Sequence, residues 1–255
     1  MLMLRSLLLA VLVAFPSAAS AEDVHVITSG GFAAAYELLK PDFEAESGLT
    51  LVTEYGASGG GAPDSIPVRL ANGETPDLII LSREGLDLMT EEGRVVADTR
   101  TDLARSLIGV SVRAGTPHPD ISTPEAFLAT LRAADSIGYS ASASGTYLSE
   151  DLFPRIGIWD EMEGKSTRIV SERVGTVLAR GEFELGFQQV SELLPIEGIE
   201  FVGTIPEEFQ QVTMFSGGVT TVAMNAAGAK ALLDYLSSPE AAATVESTGL
   251  DPIAE

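Results

Sequence analysis

The order of apolar and polar positions along the chain predicts a strand–turn–helix unit, used repeatedly. Val24-His25-Val26-Ile27 is a short β-rich run, followed by Thr28-Ser29-Gly30-Gly31. In the next segment Phe32, Tyr36 and Leu39 fall on one helical face, and Pro41 marks an interruption. Leu49 to Tyr55 reads as a second strand ending in Gly56-Ala57-Ser58-Gly59-Gly60-Gly61. A helix from about Pro63 to Ala71 follows, closed by Asn72-Gly73. Leu78-Ile79-Ile80-Leu81 is apolar without alternation, as in a parallel strand covered on both faces, and Ser82 opens a helix running to Met89.

The middle of the chain repeats the theme. Ser136-Ile137-Gly138-Tyr139 is strand-like, Ser140 to Gly145 is a small polar turn, and Tyr147 to Ile156 is helical. Val174 to Arg180 is a helix, and Leu185-Gly186-Phe187 is a strand leading into Gln188-Gln189. The last helix, Ala226 to Leu236, carries Ala229, Leu232, Leu233 and Leu236 at core spacing. Alternating strands and helices imply an α/β protein with mixed, mostly parallel sheets.

Residues 1–21 stand apart. Arg5, the apolar run from Leu7 to Phe15 and the closing Ala19-Ser20-Ala21 are the three parts of a secretory signal peptide. The run is too short to span a bilayer, so export to a bacterial periplasm is expected, with no membrane insertion after cleavage.

Composition narrows the chemistry. With 37 acids against 15 bases the formal net charge is −22, which opposes a broad electrostatic grip on nucleic acid or anionic membrane. The absence of cysteine removes disulfides, thiolate nucleophiles and Cys-based metal sites. Two histidines do not make a multi-histidine metal centre: His25 reads as a core histidine of an apolar strand, His118 as part of an exposed proline loop. No Gly-Lys-Ser/Thr follows the glycine run at 59–61, so no nucleotide is expected, and neither cofactor nor metal is called for.

What remains is a set of small polar turns. Ser29-Gly30-Gly31, Ser58 with its glycines, Ser82, and Ser142-Ala143-Ser144-Gly145 each lead from a predicted strand into a helix. Helix starts offer unpaired N–H groups and partial positive charge, and strand C-terminal ends are where doubly wound sheets bind ligands. Four such turns on one edge outline a pocket of neutral donors for an oxyanion or carboxylate, though each alone is equally a cap or turn. Arg69, Arg83, Arg155 and Arg180 lie near these turns and either clamp a carboxylate or form surface ion pairs. Gln188 and Gln189 either donate to a ligand or close a loop. Tyr147 either leans into the cleft or packs beside it, and acidic pairs such as Glu91-Glu92 and Glu207-Glu208 read as solvated faces.

The sequence of these pieces, continued by Thr75-Pro76-Asp77-Leu78-Ile79-Ile80-Leu81-Ser82, resembles the type II periplasmic solute-binding proteins, specifically the molybdate-binding group, over essentially all of the chain after residue 21. The resemblance implies two α/β lobes, residues 22–105 with 206–255 and residues 106–205, joined by two crossing strands around a ligand cleft. It also implies that Ser29 and Ser58 bind the anion, with further contacts from the turn before Tyr147 and the helix start at Val174. Four stretches look closer to one enzymatic branch of that scaffold, the aconitate isomerases: residues 62–70, 119–122, 139–149 and 185–193. Where molybdate carriers have a tyrosine near the end of the second-lobe strand, this chain has Phe187 and two glutamines. That branch implies a cofactor-independent allylic proton shift between trans- and cis-aconitate. Arg69, Arg155 or Arg180 would hold the tricarboxylate, and Tyr147 would be the candidate base. The alternative is a carrier handing molybdate, tungstate or another small oxyanion or carboxylate to a transporter permease.

Overall fold

The structure, a computed structural model, describes residues 23–59 and 61–253; the expected signal peptide lies outside the described residues. Its strands are β1 Val24–Ser29, β2 Leu51–Gly56, β3 Leu78–Ser82, β4 Thr101–Ser106, β5 Ile108–Arg113, β6 Ile137–Ser140, β7 Ser166–Ile169, β8 Leu185–Gln189, β9 Ile199–Thr204, β10 Thr213–Val219 and β11 Asp251–Pro252. They form a six-stranded sheet, β11-β4-β10-β3-β1-β2, and a five-stranded sheet, β7-β6-β8-β5-β9. β1 pairs parallel with β2 and β3, and β6 pairs parallel with β7 and β8. β10 and β5 run antiparallel to their neighbours. The chain passes between the sheets twice, at Leu107 between β4 and β5 and over residues 205–212 between β9 and β10.

The apolar run of β3 explains the layering. All five of its residues are buried, and alternate side chains serve opposite faces. Leu78 and Ile80 join Phe32, Tyr36, Leu39, Leu232 and Leu236 of the helices Gly30–Ser47 and Ala226–Leu236, whereas Ile79 and Leu81 join Ile66 and Leu86 on the other face. The five-stranded sheet is covered likewise, with Phe127, Leu131, Leu148 and Phe153 on one face and Val174, Leu178 and Phe183 on the other.

Two local expectations give way to tertiary packing. The first helix continues through Pro41 to Ser47, because Tyr36, Leu39 and Phe43 on both sides of the proline are buried against the sheet. His25 is exposed rather than a core residue, since β1 gains cover on both faces only from Val26 onward. Its backbone N–H donates to the carboxylate of buried Asp77 at 2.8 Å.

The helix Pro124–Ala133 has its C-terminal end closed from outside: Lys165 Nζ donates to the carbonyls of Leu131, Arg132 and Ala134 at 2.7, 3.0 and 2.8 Å. A cation there both satisfies orphan carbonyls and opposes the helix dipole. Lys165→Met should cost about 1–3 kcal/mol, read as a lower urea midpoint at unchanged slope.

Candidate anion cleft between the two sheets

Strand ends from both sheets meet around a cavity of about 170 Å³. That is the volume of roughly five or six waters at about 30 Å³ each, a small-ligand size. The six-stranded sheet supplies Ser29, Gly30 and Gly31 where β1 turns into the 18-residue helix Gly30–Ser47, and Tyr55 to Ser58 and Asp64 beyond β2. The five-stranded sheet supplies Ser140 to Ser144 after β6, Ser171 to Arg173 after β7, and Gln188, Gln189 and Glu192 at the end of β8.

Eight expected residues are brought together here: Ser29, Gly30, Gly31, Ser58, Ser142, Ser144, Gln188 and Gln189. Ser29 Oγ is buried without a hydrogen-bond partner, as a donor awaiting an anion would be, while Gln189 Oε1, also unpartnered, is an acceptor whose amide Nε2 donates to Thr213 Oγ1 at 2.9 Å. Ser58 Oγ accepts from Ser82 N–H at 3.0 Å, which leaves the Ser58 hydroxyl proton free to donate. Ser140 and Ser144 share a hydrogen bond at 3.1 Å.

Five expected residues lie outside this lining, each for a visible reason. Ser82 stands behind Ser58 and caps its own helix by accepting from Gly85 N–H. Gly145 is pressed on the Ser140 backbone. The side chain of Val174 packs with Val177, Leu178 and Phe183, and its N–H donates to Gln188 Oε1 at 2.9 Å. Arg69 pairs with Glu54 and Glu74 and donates to the Tyr55 carbonyl at 3.0 Å. Tyr147 belongs to the core of the five-stranded sheet; its hydroxyl donates to the Phe209 carbonyl at 2.9 Å and accepts from Arg155 at 3.0 Å. Burial pushes this phenol above its ordinary pKa, which does not suit a base at neutral pH. Arg83, Arg155 and Arg180 are engaged in ion pairs with Asp102, Asp151 and Glu182 at 3.0, 3.3 and 2.7 Å.

Four charged residues of the cleft escaped the reading of the sequence; Asp64 and Glu172 are engaged with Ser171 and Arg180, and the other two are Arg173 and Glu192. Arg173, at the end of the segment after β7, has no ion-pair partner among the described residues. Glu192 receives a hydrogen bond from Gln188 Nε2 at 2.9 Å and another from the Gln189 N–H. Burial nevertheless pushes its carboxyl up to about 7, against the pull of Arg173 and of both donors. The signals were present: Arg173 precedes Val174, and Gln188 and Glu192 are four residues apart, the spacing of one helical turn.

Three hydrogen bonds tie the sheets together at the cleft. Ser171 Oγ donates to Asp64 Oδ1 at 2.6 Å, Ser191 Oγ donates to the Gly31 carbonyl at 2.7 Å, and Gln189 Nε2 donates to Thr213 Oγ1 at 2.9 Å. Ser171 has φ of 57°, in the left-handed region that a serine seldom occupies, so this segment is held there by its surroundings. Among the described residues no three His, Asp or Glu side chains group as a metal site, and no helix is long and apolar enough to cross a membrane.

The chain is 42% identical over 228 residues, 89% of its length and 87% of the relative's, to a protein of Pseudomonas sp named aconitate isomerase. Among solved structures, the periplasmic molybdate-binding protein of Azotobacter vinelandii superposes with a TM-score of 0.71 at 17% identity, covering 89% of this chain and 98% of that one. The sulfate-binding protein of Mycobacterium tuberculosis also gives 0.71, at 19% identity over 91% of this chain and 87% of the other. These likenesses establish the two-lobed type II periplasmic-binding-protein fold. The model of the bacterial extracellular solute-binding proteins matches residues 24–251, both sheets and the cleft included, and the chain belongs to that family.

Proposed function

We propose that this chain is an exported isomerase that interconverts trans-aconitate and cis-aconitate by an allylic proton shift in the cleft. The observation that carries the reading is Arg173, an unpartnered guanidinium set among hydroxyl and amide donors. A tetrahedral oxyanion can be held by neutral donors alone, whereas a tricarboxylate calls for a cation and several separate donor groups. The relative named aconitate isomerase, similar over most of both chains, supports the same substrate.

In this reading Arg173 holds one carboxylate. Ser29, Ser58 and the start of the helix Gly30–Ser47 hold a second, and Ser142, Ser144 and the glutamines face the third. The same fixed donors stabilise the dienolate formed when a methylene proton leaves, since they need no reorganisation as charge develops. Residues 22–105 with 206–255, and residues 106–205, act as two lobes that close about Leu107 and the 205–212 connection. The amino-terminal pattern of residues 1–21 and the family's extracellular character support a periplasmic location.

Carriage of a small oxyanion to a permease is the second reading, favoured by the free hydroxyls of Ser29 and Ser58. It gives Glu192 no task, since carriage needs neither an acid nor a base. Proton NMR of residues 22–255 with trans-aconitate in heavy water decides between them. Cis-aconitate should appear with deuterium in its methylene group. Unchanged trans-aconitate, with a thermal shift on molybdate or sulfate, would replace the isomerase with a carrier.

A further inference from the structure

Five ionisable side chains line the cleft: Tyr55, Asp64, Glu172, Arg173 and Glu192. A proton shift requires one of them, or a water, to act as base, and hydrogen bonding sorts them. The Tyr55 hydroxyl donates to Glu37, and burial, with that carboxylate, pushes it up to about 12. Asp64 accepts from Ser171, and Glu172 is paired with Arg180. Arg173 carries a guanidinium, which donates hydrogen bonds and has no lone pair to accept a proton.

Glu192 differs in both position and partners. Gln188 Nε2 and the Gln189 N–H steady its carboxylate without neutralising it, so its second oxygen keeps lone pairs for a substrate. Its Oε1 also lies against Gly30 so closely that a methyl group there would overlap it. Gly30 has no positive φ to require glycine, and the missing side chain is instead the space in which the carboxylate sits.

We infer that Glu192 is the single base of the reaction, taking the methylene proton of aconitate and returning a proton to the vinylic carbon two positions along, with Gly30 kept bare to seat its carboxylate. This rests on the reading of the chain as an aconitate isomerase. In the first half a C–H bond breaks and an O–H bond forms on Glu192, while the electron pair moves through the former double bond onto a carboxylate. In the second half that O–H bond breaks and a C–H bond forms at the former vinylic carbon; the new double bond lies one carbon along. Nothing is oxidised or reduced and no co-reactant is consumed. Arg173 is the charge that faces Glu192, and Gln188, Gln189 and Gly30 are neutral. Burial gives the carboxyl a value of about 7, near the pH at which a general base is most effective.

The test compares wild type, Glu192→Gln and Gly30→Ala. Glu192→Gln should lower kcat by about a hundred- to ten-thousand-fold, with aconitate binding by calorimetry within a few-fold of wild type. Because the folded carboxyl titrates above its ordinary 4.5, the stability that Glu192 contributes is fully present below pH 4.5 and is lost as pH rises through 7. Glu192→Gln should therefore melt increasingly above wild type over that interval. Gly30→Ala should keep or raise the melting temperature, since alanine suits a helix and only a flexible side-chain end must move. It should still lower kcat by about tenfold or more. A Glu192→Gln protein within about tenfold of wild-type kcat, or one that fails to bind aconitate, overturns the inference and leaves the isomerase reading standing. A wild type inert toward aconitate overturns both.

Discussion

Arg173→Leu should raise KM for aconitate and lower kcat/KM by roughly thirty- to a thousand-fold, corresponding to about 2–4 kcal/mol lost when a charged partner is removed from a buried carboxylate. The expectation rests on the absence of a substitute. Arg69, Arg155 and Arg180, the other arginines considered for this task, are committed to Glu54 and Glu74, to Asp151, and to Glu172 and Glu182. A chain of net charge −22 repels a trianion everywhere except where a local cation faces it. Lysine at 173 should recover part of the loss, as it keeps the charge but not the two-pronged geometry. Removing the guanidinium also removes its pull on Glu192, whose pKa then climbs higher than its value of about 7. The acid limb of the kcat/KM profile should move to higher pH in Arg173→Leu. Steady-state kinetics between pH 5 and 9 reads both effects, and an unchanged KM would place the carboxylate anchor elsewhere.

The parts of this molecule set by local periodicity were readable from the chain. β3 and the helix Ala226–Leu236 appear where apolar spacing places them, because each buries the face its own residues define. The serine and glycine turns of the cleft were readable for the same reason, since parallel strands deliver their C-terminal ends to one edge. Charged groups were not, because their role depends on distant partners. Arg69 looked available until β2 brought Glu54 beside it, and Tyr147 looked close to the cleft until Phe209, 62 residues on, took its hydroxyl. Glu192 had the opposite fate. In so acidic a sequence one more glutamate reads as a solvated face, and only the fold shows it half-buried against Gly30 with its carboxyl desolvated and its pKa raised. Pro41 belongs with these, as a helix breaker overruled by Tyr36, Leu39 and Phe43.

Gly145→Ala should destabilise the fold by about 3 kcal/mol or more, lowering the urea midpoint and melting temperature even with ligand present. A Cβ at this position would overlap the Ser140 carbonyl oxygen and lie within 3 Å of two further backbone atoms of Ser140. Those atoms cannot retreat cheaply. Ser140 ends β6 in register with Ile169 of β7, and the adjoining Ala141 N–H donates to the Ile169 carbonyl at 2.8 Å. The same mutation at the neighbouring cleft glycines has other consequences, although all three sit in similar Gly-Ser turns. At Gly30 the obstacle is the movable end of Glu192, so the loss is in turnover. At Gly31 it is the ring of Phe215, only 2% exposed and unable to swing away, so the loss falls between the two. Urea melts and kcat measured across Gly30→Ala, Gly31→Ala and Gly145→Ala should thus separate stability from activity in that order. A Gly145→Ala protein as stable as wild type would mean that the β6 turn can move, and that the serines it carries are not held in place for a ligand by the sheet.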